Sequence, residues 1–179
     1  MNQITSKQKP TKMATIILLI TAVLTALITG LFYSYSCSVN PGLGNLPDNQ
    51  YLAAMQSINR AILNPVFFAS FMGTLILLPV CAWMYYGQPD SNRFTLLLIA
   101  ALVYAIGTFG VTMACNVPLN DALNAFDLKS ATAESLMAQR EKFEATWNKW
   151  HMVRTVASLI SLILVVAACI NYRHISDNQ

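Results

Sequence analysis

Four long apolar segments, each without Asp, Glu, Lys or Arg, divide the chain. A helix of about 20 apolar residues is long enough to cross a bilayer. We place membrane spans near Met13–Tyr33, Pro65–Tyr86, Phe94–Cys115 and Thr155–Tyr172. The last charge-free interval is the shortest, so its helix is expected to begin before the membrane. A soluble protein that buried four such helices would lack the amphipathic helices needed to cover them.

The two longer connecting segments carry helical patterns of their own. In residues 48–65 apolar side chains recur at spacings of three and four, which predicts a helix that ends at Asn64-Pro65. Asn120 is predicted to cap a short helix after the third span. A last helix, predicted to run unbroken into the fourth span, places five side chains on nearly one face: Leu136, Phe143, Trp147, Trp150 and Arg154. The predicted fold is therefore all-α, an integral membrane four-helix bundle with short helices in the two outer connecting segments.

Composition agrees with a single membrane domain. The chain has 179 residues and is 55% hydrophobic and 11% charged, whereas a soluble domain carries about 25% charged residues. We divide it into an N-terminal tail (1–12), a four-span domain (13–172) and a C-terminal tail (173–179). The bilayer is the predicted partner; the net charge of +3 calls for no nucleic acid, and a homo-oligomer is compatible with the pattern.

The distribution of basic residues predicts the topology. Lys7, Lys9 and Lys12 precede the first span, and Arg173 follows the last one. The positive-inside rule then places both chain ends in the cytoplasm, in a bacterial inner membrane. No Asp, Glu, Lys, Arg or His lies in the middle of a span, which argues against a proton pump or an ion-coupled carrier.

Polar side chains gather instead at the outer ends of the spans. Residues 145–155 read "ATWNKWHMVRT", in which Trp147, Trp150, His151 and Arg154 are predicted to share a helix face. One interpretation is an interfacial belt, in which Trp lies at headgroup depth and Arg extends to the interface. The other is a binding site, in which indole rings stack on a flat ligand, Arg holds an anionic oxygen and His moves a proton. Three carboxamides fall at the same predicted depth: Asn59, Asn116 and Asn120.

The cysteines and the acidic residues give little support to metal or thiol chemistry. The chain has four cysteines and no C-x-x-C motif, so a membrane thiol oxidoreductase is poorly supported. Cys37 and Cys115 lie at outer span ends, where a disulfide is conceivable but not favoured. His151 has no nearby carboxylate pair, which makes a thin ligand set for a metal, and no metal site is predicted.

Three motifs, in this order around four spans, resemble the anthrone oxygenase-like family of membrane proteins: "AMQSINRAILNPVFF", "NVPLNDAL" and "WNKWHMVRT". The resemblance extends from the first span to the last. Its most specific parts are "NVPLNDAL" and the spacing of Trp147, Trp150, Arg154 and Thr155. Characterised members oxidise anthrones to anthraquinones with O2 and without an evident cofactor, while most bacterial relatives have no demonstrated activity. Asn commonly follows the second Trp in the family pattern, where this chain has His151.

The resemblance implies a cofactor-independent monooxygenase that acts on an aromatic or phenolic hydrophobic molecule. We then expect His151 as the base and Arg154 as the cation for the developing oxyanion. Substrate contacts are assigned to five residues: Trp147, Trp150, Asn59, Asn116 and Asn120. The alternative is a non-enzymatic membrane protein that binds a lipid or hydrophobic metabolite, or that supports a partner complex. The alternative predicts that a His151→Asn variant keeps full function.

Overall fold

The computed structural model describes residues 11–87 and 92–171, which form helices joined by turns, with no strand in that part of the chain. We number the helices α1 (Lys12–Gly44), α2 (Asp48–Ala61), α3 (Pro65–Met84), α4 (Arg93–Asn124) and α5 (Ala133–Ile170). All except α2 are long and apolar enough to cross a membrane. The predicted all-α, four-span fold is confirmed. The N-terminal tail through residue 10 and the C-terminal tail lie outside the described residues.

The four long helices form a closed ring of neighbours: α1 packs against α3 and α5, and α4 packs against the same two. Two glycines permit close approach. A Cβ atom on Gly107 would lie 2.6 Å from Cβ of Ala157 in α5, and one on Gly73 would lie 2.8 Å from Cδ1 of Leu24 in α1. Small residues at such contacts are typical of membrane helices, which pack through van der Waals contact rather than through the hydrophobic effect.

The bundle interior is richer in hydroxyl groups than its outer surface. Thr25, Ser158 and Ser161 are fully buried, and each donates to a backbone carbonyl of its own helix three or four residues earlier. Large apolar side chains such as Leu19 and Ile163 point outward, with exposed fractions of 63% and 58%. An apolar exterior, with interior hydroxyls such as these three bonded to helix carbonyls, is the arrangement that a lipid environment favours.

Two of the long helices continue through π turns that lie before a proline. The turns are Tyr35–Val39 in α1 and Thr112–Asn116 in α4, and in each the next amide bonds the carbonyl five residues back. In an α-helix, the carbonyl four residues before a proline would lose its partner, because proline has no N–H. In a π turn each carbonyl instead bonds the N–H five residues later, so Pro41 and Pro118 leave this carbonyl with a donor.

This continuity corrects the role predicted for Asn120 in the second outer segment. Pro118 does not stop the third spanning helix, and the final α-helical part of α4 is Val117–Asn124. Asn120 therefore lies inside this helix and does not cap it. The short helix predicted after the third span is present as Val117–Asn124, and it is joined to the spanning part of α4 through the π turn Thr112–Asn116. The helix predicted in the first outer segment is confirmed as α2.

The end of the bundle that carries α2, called the capped end below, has its own apolar cluster. Its buried members come from α2, α4 and α5: Tyr51, Leu52, Met55, Leu123, Phe143 and Trp147. Gln56 Nε2 donates to the carbonyls of Leu123 and Phe126 at 2.8 and 2.9 Å, which ties α2 to the end of α4. The cluster holds α2 across the mouth of the four-helix bundle.

Arg140 fixes the turn between α1 and α2. Its guanidinium donates to Asp48 at 3.0 Å, to Glu144 at 2.7 Å and to the carbonyls of Gly44 and Leu46 at 2.9 and 2.7 Å. At the opposite end, Arg93 is buried and donates to the carbonyls of Ala168 and Cys169, the last turn of α5. Both arginines thus satisfy backbone carbonyls that helices and turns leave open.

Candidate functional site

A cavity of about 170 Å³ opens at the capped end between all five helices. Its walls are mainly apolar or aromatic: Leu31, Phe32, Ile58, Ile62, Leu63, Phe67, Val117 and Trp147. Its polar lining comes from Tyr35, Asn59, Arg60, Thr112, Asn120, Asp121, Asn124 and Arg154. An apolar cavity with a few convergent polar groups is the usual form of a small-molecule site.

Arg154 is the buried cation of this cavity, with only 8% of its surface exposed. Its guanidinium carbon lies 4.6 Å from the ring centre of Phe32 and 5.2 Å from that of Trp147. Its Nε and Nη2 lie 3.2 and 3.1 Å from Nδ1 of His151. Among the described residues the ion pairs involve Arg140 and not Arg154. The Arg154 guanidinium is thus surrounded by the rings of Phe32, Trp147 and neutral His151, whereas most buried arginines form an ion pair with a carboxylate.

His151 lies behind Arg154 and is 1% exposed. Its ring stacks on Trp147 at 5.0 Å between centroids and at 9° between planes, and it meets Phe32 edge-on at 5.9 Å. A guanidinium can only donate hydrogen bonds, so Nδ1 must accept and carries no proton. The proton of the neutral ring is then on Nε2, which donates to Ser36 Oγ at 3.0 Å.

The hydroxyl groups beside His151 extend this hydrogen-bonded chain. Ser36 Oγ lies 3.4 Å from Thr155 Oγ1, and Thr155 Oγ1 donates to the carbonyl of His151 at 2.7 Å. Because the Thr155 hydrogen is engaged there, Ser36 donates to Thr155 while it accepts from the imidazole. Each hydrogen bond of this network therefore has a defined donor. Arg154 donates to the His151 ring, the ring donates to Ser36, Ser36 donates to Thr155, and Thr155 donates to a backbone carbonyl.

Carboxamides hold Trp147 from α4. Asn120 Oδ1 accepts from the indole Nε1 at 2.7 Å, and Asn116 Nδ2 donates to the Trp147 carbonyl at 3.3 Å. Asn116 is fully buried and its Oδ1 has no partner, and Asn59 Nδ2 is likewise buried without one. A buried polar atom without a hydrogen bond is costly, so the Asn59 donor at the cavity wall suits a ligand acceptor.

The structure brings six of the seven sequence-predicted site residues together. Asn59, Asn120, Trp147 and Arg154 line the cavity, and His151 and Asn116 contact Trp147 from behind it. Trp150 does not line the cavity; it is half-buried with the Lys149 ammonium 5.6 Å from its ring centre. At about 100° per residue, Trp150 lies roughly 100° around α5 from His151, at the edge of the face that the other three share.

Three residues of α1 belong to the site but were not predicted as site residues: Phe32, Tyr35 and Ser36. They end the first apolar run in "FYSYSC", where the polar letters and the nearby Pro41 were the available signal. Across residues 11–87 and 92–171, no three His, Cys, Asp or Glu side chains are grouped as metal ligands. All four cysteines, including Cys37 and Cys115, carry free thiols.

Comparison with known proteins agrees with the motifs. The family model described as anthrone oxygenase matches residues 66–164, a range that holds Asn116, Asn120, Trp147, His151 and Arg154. No curated protein and no solved structure matches the chain. The matched region covers more than half of the sequence and includes three of the four membrane-spanning helices. The chain therefore belongs to the anthrone oxygenase family.

Proposed function

We propose that the cavity binds a flat, hydrophobic aromatic molecule with an acidic hydroxyl group, and that the protein oxidises this molecule with O2 without a cofactor. The observation that carries the proposal is Arg154, a buried cation at the wall of an apolar cavity, which forms no ion pair with the described residues. An anionic oxygen from a ligand would supply the missing charge.

The shape and chemistry of the walls support an aromatic ligand. Phe32, Phe67 and Trp147 contribute aromatic rings to the lining, and aromatic pairs contribute about 0.5–1.5 kcal/mol beyond the burial of apolar area. Asn59 adds a second donor, which suits a further carbonyl or hydroxyl oxygen on the same ligand. A lipid headgroup has no comparable flat surface, so the walls favour a polycyclic phenol over a phospholipid.

The proposed reaction balances with O2 as the oxidant. The bound hydroxyaromatic loses a proton, and the resulting delocalised anion passes one electron to O2. The two radicals combine to form a C–O bond, and a proton completes a hydroperoxide. The O–O bond then breaks as a carbon-bound proton leaves, which gives a quinone carbonyl and water. Arg154 stabilises the oxyanion of the first step, and preorganised charge of this kind is the largest usual contribution to catalysis.

His151 is the proposed proton acceptor, although it does not line the cavity. Its position beside Arg154 decides which proton it can take. In an anthrone the acidic C–H lies across the ring from the carbonyl oxygen, whereas the hydroxyl tautomer carries its proton on the oxygen that Arg154 would hold. We therefore propose that the substrate reacts as its hydroxyl tautomer.

Oxygen uptake tests the proposal. Purified protein in nanodiscs is mixed with 1,8-dihydroxyanthrone, without added flavin, haem or metal, and the rate is corrected for autoxidation in empty nanodiscs. We expect quinone and consumed O2 in equal amounts, and loss of the protein-dependent rate in an Arg154→Met variant. Full activity of a His151→Ala, Arg154→Ala double variant would contradict the mechanism, and dependence on added copper or iron would contradict the cofactor-free version. Tight binding without turnover would favour the non-enzymatic alternative.

A further inference from the structure

We propose that Ser36 is a positioning residue, and that ligand binding transfers Arg154 from Nδ1 of His151 to the ligand oxygen, which frees Nδ1 to take the ligand's O–H proton. The inference rests on the proposed function, because it describes how the same cavity would handle an acidic hydroxyl group. Ser36 belongs to α1 and lies outside the residues that the family model matches.

In the structure, Arg154 blocks Nδ1 of His151. Both Nε and Nη2 of Arg154 approach this nitrogen, at 3.2 and 3.1 Å, so its lone pair is already engaged. Arg154 lines the cavity and His151 does not. A ligand oxygen therefore meets the guanidinium before it meets the imidazole. The ligand arrives with its O–H bond intact. As its proton moves to Nδ1, the ring nitrogen loses its lone pair to that proton and the ligand oxygen becomes an anion, which then holds the guanidinium by charge as well as by hydrogen bonds.

Ser36 stabilises the same tautomer that Arg154 requires, and it keeps an acceptor on Nε2 once Arg154 has turned to the ligand. The other tautomer of His151 would carry its proton on Nδ1 and would point it at a cation. Ser36 Oγ accepts from Nε2 at 3.0 Å and is itself oriented by Thr155, which favours the tautomer with a bare Nδ1. Ser36 lies in the π turn of α1, which sets this hydroxyl toward a residue 115 positions away in sequence.

The proton count then closes within the site. The ligand O–H bond breaks, its proton goes to Nδ1, and the ring becomes an imidazolium that keeps its Nε2–H bond to Ser36. The oxyanion lies between two cations, Arg154 and His151. Tyr35 contacts the ring at 5.6 Å between centroids and stays neutral in this scheme. Asp121 and Arg60 are the other charged side chains of the cavity lining. The stacked Trp147 face supports the charged ring by a cation–π contact.

The test follows both partners of the proton transfer. The probe is 2-hydroxyanthraquinone, whose phenol and phenolate differ in visible absorption and which O2 does not oxidise. A His174→Gln background leaves His151 as the only histidine, so that ¹⁵N-histidine NMR reports on this ring alone. Without probe we expect a proton on Nε2 and none on Nδ1. With probe, below its free pKa, we expect bound phenolate and protons on both nitrogens.

Variants of Ser36 separate positioning from folding. With the probe bound, Ser36→Ala should lower the fraction of His151 rings that carry protons on both nitrogens, because the imidazolium loses the acceptor of its Nε2–H. The variant should also lower kcat roughly fivefold with little change in KM, the loss that one hydrogen bond of about 1 kcal/mol produces. Ser36→Thr, which keeps the hydroxyl, should restore both. Ser38→Ala, at an exposed position of the same π turn, serves as the matched control and should match the parent protein.

The outcomes distinguish this inference from the proposed function. Phenolate binding with Nδ1 still unprotonated would overturn the exchange and leave the binding proposal standing. A Ser36→Ala protein with the parental fraction of doubly protonated ring and the parental kcat would overturn the positioning role. Failure of the probe to bind at all would overturn both proposals.

Discussion

Replacement of Arg154 by Met is the perturbation that the site predicts most sharply. Met keeps an unbranched, flexible but shorter side chain, and it removes the charge and all donors. A ligand oxyanion about 4 Å from the guanidinium, at an effective dielectric constant of about 20, gains about 4 kcal/mol. At 1.36 kcal/mol per factor of ten, the variant should bind a phenolate roughly a thousandfold more weakly. By the same conversion, the pKa of the bound phenol should lie about 3 units lower in the parent protein than in the variant.

A spectrophotometric titration of 2-hydroxyanthraquinone across pH measures both quantities. Arg60→Met is a suitable control, because Arg60 lies at the same cavity but is exposed and donates to Asn124 at 2.7 Å. An exposed charge contributes at most about 1 kcal/mol, so this variant should bind within about fivefold of the parent protein. Phenolate affinity of the Arg154→Met protein within tenfold of the parent, in a folded sample, would refute the assignment of Arg154 as the oxyanion partner.

The remaining predictions concern packing, ring contacts and topology. Gly107→Ala should lower the free energy of unfolding by about 1–3 kcal/mol, because its Cβ would lie 2.6 Å from an atom of α5. Gly30→Ala, whose Cβ would have nothing within 4 Å, should raise the free energy of unfolding by up to about 1 kcal/mol. Equal shifts of the two variants in denaturation experiments would contradict the packing. Trp147→Phe should weaken probe binding about tenfold by removing the Nε1 bond to α4, and Trp150→Phe should leave binding unchanged, so equal losses in the titration would count against the cavity. A single cysteine at Asp127 should react with an impermeant reagent in intact cells and one in the N-terminal tail should not; the reverse labelling would invert the topology.

The spans could be predicted because the sequence encodes them locally. A missing charge over about 20 residues is visible without any tertiary information. The ends of α1 and α4 could not be read in the same way. Pro41 and Pro118 suggest helix ends, since proline lacks the N–H and clashes with the preceding turn. The π turns that accommodate these prolines depend on backbone hydrogen bonds that no local sequence pattern indicated.

The site was predictable along one helix and not across helices. Trp147, His151 and Arg154 share a face because residues three and four apart on a helix are neighbours. The role of Asn120 was misread because α4 continues past Pro118, which places Asn120 inside the helix. Its side chain accepts a hydrogen bond from Trp147, 27 positions away in sequence. Ser36 was missed for the same reason at greater range, since only the packing of α1 against α5 brings it to the ring of His151.

The most direct measurement is an experimental structure of the protein with bound 2-hydroxyanthraquinone. We predict its phenolate oxygen about 3 Å from a guanidinium nitrogen of Arg154, its rings against Phe32 and Trp147, and Nδ1 of His151 no longer bonded to Arg154. A probe bound only at the lipid-facing surface, with Arg154 still directed at His151, would contradict the account.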